Sequence, residues 1–188
     1  IASPVDRKEI LVVNDGSNDR TSAIIDAVMA DTQDQRLACV HHAMNQGYGT
    51  ALRTGVRYAI DHGFDYVLFM DSDLTNHPRY LTLFYEKMNE GWTYIKASRY
   101  APGSSVVGVP WQHQLISRAG NLIARMCYRL PIRDHTNGFR AVRTDLLRKM
   151  ELHENGFAVI VEELCEAKRY GATFCEVPYT LTSRGEGD

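Results

Sequence analysis

Asp71 and Asp73 stand one residue apart at the end of an apolar run, Tyr66-Val67-Leu68-Phe69-Met70. Such a run reads as a buried strand, and the C-terminal ends of strands are where open α/β sheets gather their ligands. Asp-x-Asp at that point can hold a divalent cation between carboxylate oxygens. The same residues also suit a polar turn after a strand, and so short a motif needs the company of others.

Two further loops supply that company. Val12-Val13-Asn14-Asp15-Gly16-Ser17-Asn18-Asp19 closes an earlier apolar run with short polar side chains. These tolerate tight turns, cap helices and hydrogen-bond a base or ribose with little bulk; a plain strand-turn-cap fits them too. Asn45-Gln46-Gly47-Tyr48-Gly49-Thr50-Ala51 repeats the arrangement, with glycines that let backbone come close to a ligand. Neither stretch has the spacing of a Walker A loop or of G-x-G-x-x-G, and no P-loop lysine follows, which argues against an NTPase or a dehydrogenase.

The elements that must position these loops alternate. Glu9 to Val13, Leu37 to His41 and Tyr66 to Met70 read as strands, with helices over Thr21 to Met29 and Tyr48 to His62 between them. That order predicts right-handed crossovers and a mostly parallel α/β sheet flanked by helices. Pro78 then opens a helix that runs to Asn89, Trp92 to Ala97 is an apolar run, and Ala101 to Pro110 is a Pro/Gly/Ser-rich loop. A long helix over Trp111 to Leu130, a turn at Asp134 to Gly138, a helix around Glu162 to Arg169 and a strand over Thr173 to Leu181 follow. On the long helix Leu115, Ala119, Leu122, Met126 and Leu130 share a face near Arg118, Arg125 and Arg129. That pattern fits a basic amphipathic helix at a lipid surface, and also a core helix with a solvated edge.

At 188 residues and 44% hydrophobic content, the chain suits one domain, 1–188, with a sizeable core and no second-domain linker. A net charge of −2 provides no basic field for nucleic acid, so phosphate binding has to be local, which favours a small phosphorylated ligand. Cys39, Cys127, Cys165 and Cys175 lack zinc spacing and read as buried free thiols of a reducing compartment. The histidines, His41, His42 and His77 among them, show no ligand spacing and read as surface or capping residues. No apolar run approaches the roughly 20 residues needed to cross a bilayer.

In order along the chain, these motifs resemble those of the GT-A glycosyltransferases of family two, most nearly the polyprenol-phosphate (dolichol-phosphate) mannosyl- and glucosyltransferases. The matching pieces are Val13-Asn14-Asp15-Gly16-Ser17, Asn45-Gln46-Gly47 with Ala51 and Gly55, Asp71-Ser72-Asp73-Leu74, Ser98-Arg99-Tyr100, Asp134 with Gly138-Phe139-Arg140, and Ser183-Arg184 with Gly187. The resemblance implies a GT-A, Rossmann-like fold and a metal-dependent, inverting transfer of a hexose. The implied donor is a nucleoside-diphosphate sugar, GDP-mannose ahead of UDP-glucose. The implied acceptor is a polyprenyl phosphate, met by a peripheral protein at the cytosolic face of a membrane.

Position by position, the resemblance implies that Asp15 meets the base or ribose, with Ser17, Asn45 and Gly47 in the same nucleotide-binding loops. Asp71 lies near ribose and metal, and Asp73 ligates the Mg²⁺ or Mn²⁺ that bridges the diphosphate. A lipid phosphate is already an anion and needs little or no general base, so catalysis becomes positioning plus electrostatics. Arg99, Arg118 and Arg184 then stand as acceptor-phosphate arginines, because a guanidinium stays charged and grips phosphate with parallel hydrogen bonds. Arg118 also reads as an ordinary surface-helix arginine. Arg140 either serves the same site or pairs with Asp134 to hold the turn. Glu162, or its neighbour Glu163, matches a carboxylate on the acceptor side.

The family's opening strand has no counterpart before Glu9 and its closing motif stops at Asp188, so the chain reads as truncated at both ends. Thr75, Asn76, His77 and Pro78 stand where close relatives carry Gln and a His-Pro-Pro-like turn, and Asn14 replaces an acidic residue. Two rivals follow: a family-two transferase with a soluble saccharide acceptor, using Glu162 or Glu163 as base, and a catalytically silent α/β module that binds a membrane partner.

Overall fold

The computed structural model describes residues 8–32, 34, 36–73, 75–108 and 111–181, the side chains of residues 113, 114, 118 and 127 excepted. The motif positions Leu74, Ser183, Arg184 and Gly187 lie outside these residues, as does Pro110. The described residues group into two compact units, one within Ile1–Gly63 and Leu152–Val159, the other within Phe64–Glu151 and Ile160–Asp188.

The first unit contains β1 (Ile10–Asn14), α1 (Thr21–Thr32), β2 (Leu37–His41) and α2 (Tyr48–Asp61). β1 and β2 pair in parallel, as the crossover helix between them requires. Asp19 Oδ1 accepts the Thr21 amide at 2.9 Å and so satisfies one of the donors that open α1. Gly47 caps α2 from just outside it, at a φ of 96° that is cheap only for glycine. Just inside the helix the Gly49 amide donates to the Asn155 carbonyl at 2.8 Å. A Cβ on Gly49 would stand 2.0 Å from the Glu154 carbonyl oxygen, so the close neighbour of these glycines is the chain's own backbone. Arg53 fastens the same segment, donating from Nη1 to the Glu154 carbonyl at 2.8 Å.

The second unit holds β3 (Tyr66–Phe69), a 3₁₀ turn (Pro78–Tyr80), α3 (Leu81–Asn89), β4 (Tyr94–Ser98), β5 (Ser105–Val106), α4 (Trp111–Tyr128), β6 (Arg140–Arg143), α5 (Thr144–Leu147), β7 (Phe174–Pro178), β8 (Thr180–Leu181) and nearly all of α6 (Val159–Arg169). Its main sheet runs β3-β6-β4-β7. β4 pairs with β7 in parallel and β5 with β8 likewise, whereas β6 lies antiparallel to both neighbours. Three of the five described strand pairings are thus parallel, as expected, and both antiparallel ones belong to β6, an inserted strand of four residues, too few to announce itself by periodicity. The single expected C-terminal strand is two: Pro178 has no N–H to extend a ladder, and the chain changes partner from β4 to β5.

β4 is buried along its whole length, and Ile95 and Ala97 join Tyr80, Phe84, Phe139, Ala141, Val177 and Tyr179 in the core. Phe84 and Phe139 pack with centroids 4.7 Å apart, and Tyr80 meets Tyr179 edge-on at 5.2 Å. Such pairs contribute about 0.5–1.5 kcal/mol beyond area burial. α4 ends at Tyr128, two residues early, because Arg129 takes the left-handed φ of 49° and turns Leu130 into the core. Cys39, Cys165 and Cys175 are free thiols, but none of the three is fully buried: Cys39 and Cys175 are half-buried and Cys165 is exposed.

Candidate active site

In the first unit one carboxylate ties the loop after β1 to the loop before α2. Asp15 Oδ1 accepts the Gln46 amide at 3.0 Å, Oδ2 accepts the Gly47 amide at 2.8 Å, and His42 Nδ1 lies 2.6 Å from Oδ1. Burial pushes the Asp15 carboxyl up, but the hydrogen bonds from His42, Gln46 and Gly47 outweigh it and hold the group below the usual carboxylate range. His42 is thus no surface histidine, its side chain being only 9% exposed. Gly16, at φ 68°, lets the two loops touch, since a Cβ there would fall 2.3 Å from the Met44 carbonyl carbon.

Asn14 is buried and organises its own loop. Its Oδ1 accepts from the Ser17 amide at 3.2 Å and the Ser17 hydroxyl at 2.7 Å, while Nδ2 donates to Ser22 Oγ at 2.7 Å and faces His41 Nδ1 at 3.0 Å. Asn14 thus uses both halves of its amide within the loop, the oxygen accepting and the nitrogen donating. Asn45 Oδ1 accepts the Gly47 amide at 3.1 Å. Asp15 and Asn45 therefore meet on the Gly47 amide, and Ser17 is held in the first of these loops by Asn14.

Asp71 and Asp73 follow β3, both half-buried. Thr75 donates from its amide at 3.1 Å and its hydroxyl at 2.6 Å to Asp73 Oδ1, and buried Asn76 donates from Nδ2 to Asp71 Oδ2 at 3.3 Å. The residues that depart from the family pattern here orient one aspartate each. Tyr179 steadies Thr75 by donating to its carbonyl at 2.5 Å, and burial pushes its phenol up to about 12, so it stays a donor. His77 caps the 3₁₀ turn by accepting the Arg79 amide at 3.0 Å, as expected.

Two carboxylates presenting only oxygen suit a hard ion such as Mg²⁺ or Mn²⁺, which typically keeps its remaining positions for water and substrate phosphate. Among the described residues no three His, Cys, Asp or Glu side chains gather to hold a metal unaided. An ion at Asp71 and Asp73 would accordingly complete its shell with substrate oxygens.

Arg99 is gripped by Asp134: Nε to Oδ2 at 2.7 Å, Nη2 to Oδ1 at 2.8 Å, and the backbone amide to Oδ2 at 3.0 Å. Burial pushes the Asp134 carboxyl up, and Arg99 pulls it back below its ordinary value. Glu176 accepts the amides of Arg133 at 2.7 Å and Asp134 at 3.1 Å, fixing the turn that carries both. Arg99, Tyr100, Asn121, Leu122, Arg125 and Arg133 line an open concavity of about 460 Å³. Arg133 escaped the sequence analysis, and Arg125 drew notice only as part of a basic helix face. The backbone of Arg118 lies on α4, and Arg184 lies outside the described residues.

The outward side of α4 carries Trp111, Leu115, Ile116, Leu122, Ile123 and Met126, each 58–69% exposed. The core-helix alternative fails for this face; of the expected stripe only Leu130, beyond the helix end, is buried. Arg140 does not pair with Asp134, because Asp134 is taken by Arg99; Arg140 pairs with Glu163 inside the protein. Glu163, wholly buried and bound to a guanidinium, is unfit as a general base. Glu162 stands half-buried in the first turn of α6.

Sequence comparison matches residues 1–151 to Glycosyl transferase family 2. Polyprenol monophosphomannose synthase of Mycolicibacterium smegmatis is 31% identical over 95% of this chain and 68% of its own length. Undecaprenyl-phosphate mannosyltransferase of Micrococcus luteus is 32% identical over 98% of this chain and 76% of its own. Among solved structures, glucosyl-3-phosphoglycerate synthase from Mycobacterium tuberculosis with Mn²⁺, UDP and phosphoglyceric acid superposes with a TM-score of 0.65 at 21% identity, covering 96% of this chain. This chain spans 60% of that one, and the likeness concerns the fold.

Proposed function

Because the chain belongs to glycosyl transferase family 2, we propose that it transfers a hexose from a nucleoside-diphosphate sugar to a polyprenyl phosphate, as part of a peripheral protein at the cytosolic face of a membrane. One observation carries the choice of acceptor. The arginine-lined concavity of Arg99, Arg125 and Arg133 has Leu122 in its wall, and Leu122 belongs to a helix that exposes six large apolar side chains. A phosphate fits the first and a polyprenyl chain or bilayer the second. A soluble saccharide needs neither. Among the described residues no helix is long and apolar enough to cross a membrane, so contact is attributed to the surface of α4.

In this reading residues 1–188 act as one GT-A domain. The loops of Asp15, Ser17, Asn45 and Gly47 hold the nucleoside, and Asp71 and Asp73 hold Mg²⁺ or Mn²⁺. The ion, when bound, neutralises charge on the departing nucleoside diphosphate. Arg99, Arg118, Arg125 and Arg184 receive the acceptor phosphate, whose own charge makes it the nucleophile, and Glu162 faces the acceptor. The two curated relatives are named for mannose, which supports mannose as the sugar, and the reading keeps GDP-mannose ahead of UDP-glucose as donor. The test is a melting comparison with GDP and with UDP, each with Mn²⁺ and with chelator, followed by transfer from the matching sugar nucleotide to a polyprenyl phosphate in detergent. A metal-dependent rise in Tm with one nucleotide and a lipid-linked sugar product are expected. A nucleotide response with no lipid product would move the acceptor to a soluble saccharide; no response at all would leave a silent binding module.

A further inference from the structure

We propose that His42 is the positioning residue of the donor loop, holding Asp15 in one orientation through a relay that ends on Thr54; the inference rests on the assignment of Asp15 to the nucleotide. The relay lies wholly within the first unit. His42 Nδ1 is 2.6 Å from Asp15 Oδ1, Nε2 is 2.9 Å from Thr54 Oγ1, and the His42 amide donates to the Asn14 carbonyl at 2.9 Å. The ring is thus fixed at both nitrogens and at its own backbone.

These distances are also those of a hydroxyl-histidine-carboxylate triad. That alternative fails on the place of Thr54. It sits in the interior of α2 (Tyr48–Asp61), where backbone amides are spent on the helix and none is left to stabilise an oxyanion. A threonine hydroxyl either donates or accepts. Thr54 therefore satisfies Nε2 in either protonation state, and Nδ1 keeps its proton for Asp15.

Asp15 receives hydrogen bonds from His42, the Gln46 amide and the Gly47 amide. An ionised carboxylate offers about four acceptor sites, so the arrangement leaves capacity for one more donor. A ribose hydroxyl, a base ring N–H and a base amino group are all donors. With His42 in place the carboxylate cannot rotate away from the Gly47 loop, and the site meets its ligand already ordered. Preorganisation of this kind acts on binding more than on the bond-breaking step.

The test uses the whole protein and measures GDP and UDP affinity by calorimetry beside donor KM and kcat. His42→Ala is expected to weaken nucleotide binding and raise donor KM about tenfold, with kcat changed less than about twofold. His42→Asn, which keeps an N–H near the position of Nδ1, should recover most of the loss. Thr54→Val, nearly isosteric, should produce a smaller loss in the same direction and keeps the question open to test even if the alanine variant folds poorly. Asp15→Asn combined with His42→Ala should be little worse than Asp15→Asn alone. Unchanged nucleotide affinity in His42→Ala, a defect confined to kcat, no rescue by asparagine, or effects of the two sites that multiply would each overturn the inference alone. Wild-type protein that binds neither nucleotide overturns the functional assignment with it.

Discussion

Arg140 and Glu163 face each other in parallel, Nε to Oε1 at 2.6 Å and Nη2 to Oε2 at 2.7 Å, with both residues closed off from solvent. Tyr94 donates to the same Oε1 at 2.7 Å, and the guanidinium lies 4.2 Å from the Phe69 ring centre. The pair joins β6 to α6. Breaking it strands a charge in the interior, so Arg140→Ala or Glu163→Ala should cost about 3–5 kcal/mol in urea melts. A double replacement by apolar residues should cost much less. Equal damage from single and double variants would mean that the pair is not the unit of stability.

Asp73→Ala should abolish metal-dependent transfer while leaving the melting curve intact. Thr75→Val is the sharper experiment, because Thr75 touches Asp73 and is not itself needed as a ligand. Loss of an orienting partner typically weakens metal binding about tenfold or more. A Mn²⁺ titration followed by electron paramagnetic resonance reads this directly, and an unshifted curve would remove Thr75 from the site.

Lys96 is fully buried on β4, with Nζ donating to the Asn137 carbonyl at 2.7 Å. Burial, with Arg140 adding to it, drives its pKa from 10.5 down to about 7. The unfolded chain keeps that proton up to the ordinary lysine value, so above pH about 7 the unfolded state binds more protons and stability rises with pH. Below that point the cost is present in full. Cys175 and Tyr179 act in the opposite sense, since burial raises both to about 12 and the unfolded thiol ionises from its ordinary 9.0. The rise attributable to Lys96 is therefore read between pH 7 and 9.0. Lys96→Met should flatten it and stabilise the protein at neutral pH by about 1–4 kcal/mol. An identical slope in the variant would assign the effect elsewhere.

On α4, replacing Leu122 and Met126 together by Ser should lower partition onto anionic vesicles by at least about tenfold in a sedimentation assay, since the loss of only about two buried CH₂ groups, at about 0.8 kcal/mol each, already accounts for that factor. Arg125→Ala should instead raise the KM for polyprenyl phosphate and leave the donor KM alone. A serine pair that partitions like wild type would deny α4 its lipid contact.

Strand and helix positions in the first unit were legible because each hydrophobic run is flanked by a turn with recognisable chemistry, as at Asp15-Gly16 and Asn45-Gln46-Gly47. β6 was not, because Arg140 to Arg143 sets two apolar residues between two arginines, too short a span to show a period, and the first of those arginines is buried by pairing. Asp71 and Asp73 could be singled out from sequence as candidate metal ligands, but the contacts of Thr75 and Asn76 with them could not, since a side chain that aims another has no signature of its own. Arg140 illustrates the same limit. Its sequence-suggested acid was Asp134 in the same motif, while its partner lies 23 residues away on another element.

The contacts of Gly49 and Arg53 with Glu154 and Asn155 bear on the order in which this protein acquires structure as it leaves the ribosome. The first unit is closed by residues about 100 positions downstream: Arg53 and Glu154 are 101 apart, Thr50 and Asn155 105. At roughly 5–20 residues per second, translation of that interval takes roughly 5–20 s. Through that interval the Gly49 amide lacks the Asn155 carbonyl and Arg53 lacks the Glu154 carbonyl. The first unit must therefore wait for a strap made after most of the second unit before its contacts are complete.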